Sequence, residues 1–255
     1  MRSRQTMPRH RRVAPTSTAA SVRFEQLESR NLFSGNVTVV LVPGSPSAVQ
    51  LTGDNASNAV TVFNSGGDFT ITGQAGTTIT YNGVTGPGAF IGGQLFGSVS
   101  ADLGNGNDEI HISGGTYTNI AVQGGNGNDL VDIFSTSQIS GNLDIDTGNG
   151  DDSVSITFMQ ASPGTHWNIS TGNGDDSVTL DDVSFGNVAP GDSFHVLLGN
   201  GEDTLTFASG VNADADSDTL FDGGNGKDTV VGVGNFVLIP PTTQVVFVRF
   251  EHGLP

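Results

Sequence analysis

Cysteine is absent from the 255-residue chain, which excludes disulfides, thiol chemistry, cysteine-ligated zinc and iron–sulfur clusters. Positive charge is scarce: nine Lys and Arg stand against 26 Asp and Glu, for a formal net charge of −17. That balance argues against a nucleic-acid partner, because neutralising phosphates needs a basic face. No uninterrupted apolar run approaches the roughly 18 residues a membrane helix needs, so no transmembrane span is expected. Charged residues are only 14% of the chain, against a usual share of about 25%. Glycine takes up the slack, with 37 residues, about twice its usual ~7%. Gly and Pro together stay below the ~25–30% that marks structureless sequence, so the glycines serve an ordered fold.

The two ends of the chain differ. Arg2, Arg4, Arg9, Arg11, Arg12, Arg23 and Arg30 give the first 30 residues a net charge of +5, and the remainder carries −22. A basic head before an acidic body reads as a targeting or disordered segment over residues 1–35 and a folded domain over 36–255. The head has no apolar h-region, since Val13 to Val22 is mostly Ala, Ser and Thr, so it is not an ordinary secretory signal.

One nine-residue signature recurs through the body: LGNGNDEIH, GGNGNDLVD, TGNGDDSVS, TGNGDDSVT, LGNGEDTLT and GGNGKDTVV. Its second-position glycines are Gly104, Gly125, Gly148, Gly172, Gly199 and Gly224, spaced by 21, 23, 24, 27 and 25 residues. In nearly every copy apolar residues lie five and three positions before the glycine, as Ile120 and Val122 do before Gly125, and six and eight positions after it, as Val131 and Ile133 do; Thr219 and Gly232 depart from this around Gly224. Alternation with period two means half-buried strands. Each unit is then a strand, a GNGxD turn, a second strand and a variable connector. Two short strands cannot bury an inner face alone, but units stacked about 4.8 Å apart share one continuous core.

The expected fold is therefore all-β, a right-handed parallel β-helix or β-roll-like solenoid of about eight coils, with 21 to 27 residues per coil. Residues 36–98 read as a cap and degenerate coils, with Val49, Leu51, Val60 and Val62 in frame around GDNASN, Asn58 standing where later copies have Asp, and Phe69, Ile71 and Ile79 as a further coil. The six GNGxD coils fill 99–233, and cap strands fill 234–255. Val37 to Val42 and Val245 to Phe247 are expected as edge strands, with Pro240, Pro241, Arg249 and Glu251 discouraging end-to-end pairing.

The signature resembles the repeats-in-toxin nonapeptide GGxGxDxUx, whose family forms calcium-binding parallel β-rolls. The second Gly, fourth Gly, sixth Asp and eighth aliphatic residue are present in all six copies, whereas the first Gly survives only as Gly124 and Gly223. The family places two copies in each coil and calcium on both edges. A single copy per coil implies one metal-bearing edge. The head segment Arg23 to Gly35 resembles the LEPR-xLL-type motif of large exported bacterial proteins, with Leu27-Glu28-Ser29-Arg30 at its core and Leu32-Phe33-Ser34 at its tail. That resemblance implies a secreted or cell-surface protein.

The turn chemistry also points to a cation. Stacking would set Asp108, Asp129, Asp152, Asp176, Asp203 and Asp228 in one column. Like charges about 4.8 Å apart repel by about 3 to 4 kcal/mol at an effective dielectric near 20. Calcium takes six to eight oxygens and would relieve this; magnesium demands a rigid octahedron and retains its waters. Glycine at Gly104, Gly125, Gly148, Gly172, Gly199 and Gly224 would free backbone carbonyls to approach the ion, and Asn105, Asn126, Asn149, Asn173, Asn200 and Asn225 would add carbonyl ligands. The alternative is metal-free turn chemistry, in which Asp satisfies backbone amides.

Other motifs carry less. Asp214-Ala-Asp216-Ser-Asp218 opens like an EF-hand, but Thr219 and Asn225 stand where that loop needs Gly and Glu. His111, His166 and His195 lack the partners of a metal site, and Trp167 alternates inward. No nucleophile elbow or phosphate-binding loop is present. The function expected is thus an exported, non-enzymatic calcium-binding surface, matrix or adhesion component, whose partners are calcium and a surface polysaccharide or other exported proteins. The alternative is a carbohydrate-active β-helix enzyme of lyase, hydrolase or epimerase type, or an accessory module of one. The body offers such an enzyme only Lys227 and Arg249 as cations and no aromatic platform beside an acidic pair.

Overall fold

The computed structural model describes residues 34–254 apart from 45–46, 94–96, 186–190, 215–217 and 240–244. The basic head with its Leu27 to Phe33 motif, the middle of the Asp214 to Asp218 connector, and the Pro240-Pro241 pair lie outside the described residues. Of the described residues, 69% are strand. One three-residue 3-10 turn, Val233–Asn235, interrupts the strands. Among the described residues no helix is long and apolar enough to cross a membrane.

Alternating apolar residues become the inner faces of two sheets. In the first sheet, Ala48–Thr52, Ser98–Asn105, Ile120–Asn126, Leu143–Asn149, His166–Asn173, Ser193–Gly201 and Asp218–Asp222 stack in parallel, and Val245–Val248 forms the outer edge. In the second, Ala59–Ser65, Glu109–Tyr117, Leu130–Ile139, Ser153–Gln160, Ser177–Phe185, Thr204–Ser209 and Thr229–Val231 do the same. Register is kept by the repeat. Val99, Ile120, Leu143, Trp167, Phe194 and Thr219 are direct partners across the first sheet. Ile110, Val131, Val154, Val178, Leu205 and Val230 are partners across the second. All are buried between the sheets.

The architecture is a parallel β-solenoid of about 5 turns, fewer than the eight coils expected. Six GNGxD corners bound five full turns; ahead of them Ala48–Thr52 and Ala59–Ser65 stack in parallel, in the frame expected for Val49, Leu51, Val60 and Val62, and the remaining leading strands form a cap of opposite polarity on these two. Gly66 and Gly67, at φ 66 and 99, allow a tight two-residue reversal. Asp68–Gly73 consequently runs antiparallel to Ala59–Ser65. Phe69, Ile71 and Ile79 are buried as expected, but in a reversed layer. Asn36–Val42 is not an edge strand: it pairs antiparallel with Ala48–Thr52 and parallel with Thr78–Tyr81. Val84–Gly86 and Gly88–Ile91 complete this cap by antiparallel pairing.

Toward the C-terminal end the core becomes aromatic. Trp167 meets Phe185 and Phe194 at 5.3 and 5.8 Å between ring centroids, and Phe221 meets Phe194, Phe207 and Phe247 at 5.5, 5.2 and 5.0 Å. Most of these pairs are tilted or edge-on, the arrangement ring quadrupoles favour.

Candidate functional site: the acidic corner

The GNGxD turns lie directly over one another where the first sheet passes into the second. Coils approach so closely there that a Cβ on Gly127, at φ +125, would lie 1.7 Å from the Gly106 carbonyl oxygen. No other residue fits that position without parting the coils. The glycine N–H groups are used across the stack, as in Gly127 to the Asn149 carbonyl at 2.8 Å.

Three side-chain ladders run along the corner. The third-position carboxamides form one: each Asn Nδ2 donates to the Oδ1 of the preceding coil, from Asn105 to Asn55 through Asn225 to Asn200, at 2.7 to 3.1 Å. A second, at the fifth position, links Asp151 N–H to Asn128 Oδ1, Asp175 N–H to Asp151 Oδ1, and Glu202 N–H to Asp175 Oδ1. The third is the aspartate column. The backbone N–H groups of Asp108, Asp129, Asp152, Asp176 and Asp203 each donate to Oδ1 of the next aspartate, at 2.7 to 3.0 Å. Asn58 N–H donates to Asp108 at the head of the column, and Glu251 accepts from Asp228 at its foot.

The six aspartates face inward and are at most 2% exposed. Their second oxygens, Oδ2 of Asp108, Asp129, Asp152, Asp176, Asp203 and Asp228, are buried without a hydrogen-bond partner. Burial, reinforced by neighbouring carboxylates and partly offset by the backbone N–H bond, pushes Asp129 and Asp203 up to about 7. Asp108 and Asp176 rise to about 6, mainly through burial. Asp152 and Asp228 are raised by the same desolvation.

The first position of the repeat also faces the core. Leu103, Thr147, Thr171 and Leu198 are fully buried there, and the Thr147 and Thr171 hydroxyls donate to the Thr171 and Leu198 carbonyls. At Gly124 and Gly223 a Cβ would come within 2.5 Å of Asp129 Oδ2 and 2.9 Å of Asp228 Oδ2 respectively. Those two glycines are retained where the carboxylate packs against the backbone.

The eighteen residues expected around a metal are thus gathered at one edge, with different tasks. The asparagine carboxamides serve one another, and the second-position glycines permit the close stacking of coils. The aspartates alone present buried oxygens with nothing bound to them, a donor set that fits a hard cation or a proton. Among the described residues no group of three or more His, Asp or Glu converges as a metal cluster.

Elsewhere, Trp167 is buried as expected, with no partner for Nε1. Asp102 and Asp146 are exposed, and Asp222 is held by the Arg249 guanidinium. His111 is different from the sequence expectation: both of its ring nitrogens are engaged by carboxylates, Glu109 from the same strand and Asp132 from the next. Two further features escaped the sequence reading. Glu251, expected only as a charge that discourages end-to-end pairing, accepts from the foot of the aspartate column, and Phe134 stands beside Asp132, where their i, i+2 spacing puts them on one face. Comparison of the chain with protein-family models, curated proteins and solved structures found no match.

Proposed function

We propose that this chain is an exported, non-enzymatic structural solenoid whose aspartate column takes up calcium, and that it serves as a surface, matrix or adhesion component. One observation carries the reading: six buried carboxylates in register, each with one oxygen lacking any partner. Asp108, Asp129, Asp152, Asp176, Asp203 and Asp228 would hold the ions, and calcium would supply the positive charge that lets the whole column ionise. The all-oxygen donor set favours calcium over magnesium on grounds of ligand number and flexibility. Export is supported by the resemblance of Leu27 to Ser34 to an export motif. Outside cells a weak site suffices, since extracellular modules bind calcium at about 10⁻⁴–10⁻³ M.

The test is a thermal melt of the full chain, followed by circular dichroism, in chelator and in rising calcium, with magnesium as control. At one hundred times Kd a single ion adds about 2.7 kcal/mol, which raises Tm by about 5–10 °C in a chain of this size. A Tm indifferent to calcium at about pH 8, above the ordinary carboxylate range, overturns the reading.

A second reading has its own support in the upward shift of the column toward pH 6–7. Protons alone would then satisfy the unpartnered oxygens and the corner would be metal-free. Stabilisation on acidification with no calcium response at any pH identifies that case.

A further inference from the structure

The outer face of the second sheet carries a cluster that the acidic corner does not use. His111 Nε2 lies 2.5 Å from Glu109 Oε1, and its Nδ1 lies 3.1 Å from Asp132 Oδ2. The imidazole sits between the two carboxylates and holds both in fixed orientation. The cluster lines an open cleft of about 550 Å³, with the Gln74 carboxamide and the Phe134 ring among its walls. Phe134 meets the imidazole edge-on, at 6.3 Å between centroids.

The strand register extends this cleft into a track. Phe63, Ser113 and Phe134 are direct partners on successive rungs, so the two phenylalanines stand two rungs apart, about 10 Å along the solenoid axis. Phe63 is 45% exposed and Phe134 half-buried, with the small Ser113 between them. Two aromatic platforms one disaccharide length apart suit the C–H faces of alternate pyranose rings. The carboxylates of Glu109 and Asp132 and the amide of Gln74 offer the hydrogen-bonding groups that sugar hydroxyls need. A chain of net charge −17 repels acidic glycans, which leaves neutral ones.

We infer that this face binds a neutral, β-1,4-linked polysaccharide strand lying along the solenoid axis, with Phe63 and Phe134 as platforms and Glu109, Asp132 and Gln74 as hydroxyl partners. The surface shares no residue with the aspartate column, so it stands or falls independently of calcium binding there.

The test is calorimetric titration of the full-length chain, in calcium-containing buffer, with cellohexaose as the probe and hexagalacturonate as the acidic control. Cellohexaose should bind and hexagalacturonate should not. Phe134→Ala should weaken cellohexaose binding by at least about tenfold, whereas Phe134→Tyr, which retains the platform, should stay within about threefold. Phe63→Ala, at a more exposed ring, gives a second variant should Phe134→Ala melt abnormally, and it too should lose several-fold. Absence of cellohexaose binding, tighter binding of hexagalacturonate, or unchanged affinity in a folded Phe134→Ala or Phe63→Ala chain would overturn the inference.

Discussion

Glu251 Oε2 accepts the backbone N–H of Asp228 at 2.7 Å, the same bond that each aspartate carboxylate of the column accepts from the N–H of the coil before it. A residue outside the repeat thus takes the place a seventh aspartate would hold. Asn58, whose N–H donates to Asp108 at 2.6 Å, closes the other end without adding charge. The column is therefore capped at both ends by residues that match its hydrogen-bond pattern, and the longer Glu side chain reaches where no further turn exists.

Removing that cap should loosen the last coil. Glu251→Ala leaves the Asp228 N–H without its acceptor, a loss of about 1–3 kcal/mol for a buried donor, and should lower Tm while speeding hydrogen exchange at the Asp228 amide. Glu251→Gln keeps an acceptor oxygen and should restore most of the difference. Equal melting of the wild type and Glu251→Ala would show that the contact contributes nothing.

Within the column, Asp152→Ala and Asp152→Asn should separate hydrogen bonding from charge. The alanine leaves the Asp129 N–H unpaired and should destabilise the fold by about 1–3 kcal/mol with or without calcium. The asparagine preserves the Oδ1 acceptor and should melt close to wild type in chelator. It should also show a reduced Tm gain on adding calcium. Chelator and calcium melts of both variants, side by side, give the comparison.

The pH dependence should run opposite to that of an ordinary aspartate. Burial raises Asp129 and Asp203 to about 7, above the unfolded value near 3.9, so between those limits the folded chain binds more protons than the unfolded one. Stability then falls as pH rises through that window and grows as pH drops toward about 4. In chelator, Tm measured from about pH 8 down to about pH 5 should rise. Because calcium competes with these protons, its stabilising effect should be largest at the alkaline end and should fade on acidification. A chelated chain that melts lower at about pH 5 than at about pH 8 would show that the column is ionised without help.

The opposite corner of the solenoid holds a residue in strain. Ser135, Phe158, Asp182 and Gly210 follow the register partners Phe134, Thr157, Asp181 and Ser209 on successive coils, all at positive φ, with Phe158 at 54°. A left-handed conformation costs a bulky residue about 1–2 kcal/mol, and the Phe158 side chain is 57% exposed, so packing returns little. Phe158→Gly should stabilise the chain by about 0.5–1 kcal/mol once the extra freedom of unfolded glycine is deducted. Chemical denaturation read at constant m-value is the appropriate measurement.

The sequence by itself determined the solenoid, its parallel register and the identity of its inner faces, because a period of two inside a longer repeat leaves one consistent way to bury Ile110, Val131, Val154 and Val178 together. It also determined that the six aspartates form one column. Tertiary structure decided what each corner residue does. Asparagine and aspartate are both ordinary turn residues, and only the stacked geometry shows Asn126 bonded to Asn105 while Asp129 turns a bare oxygen into the core. The reversed cap was equally hidden, since buried alternation in Phe69 and Ile71 is the same whichever way a strand runs. The cluster of Glu109, His111, Asp132 and Phe134 arose from register between coils 21 residues apart at His111 and Asp132. Such neighbours are set by the number of residues in the connectors, and a local pattern carries no record of them.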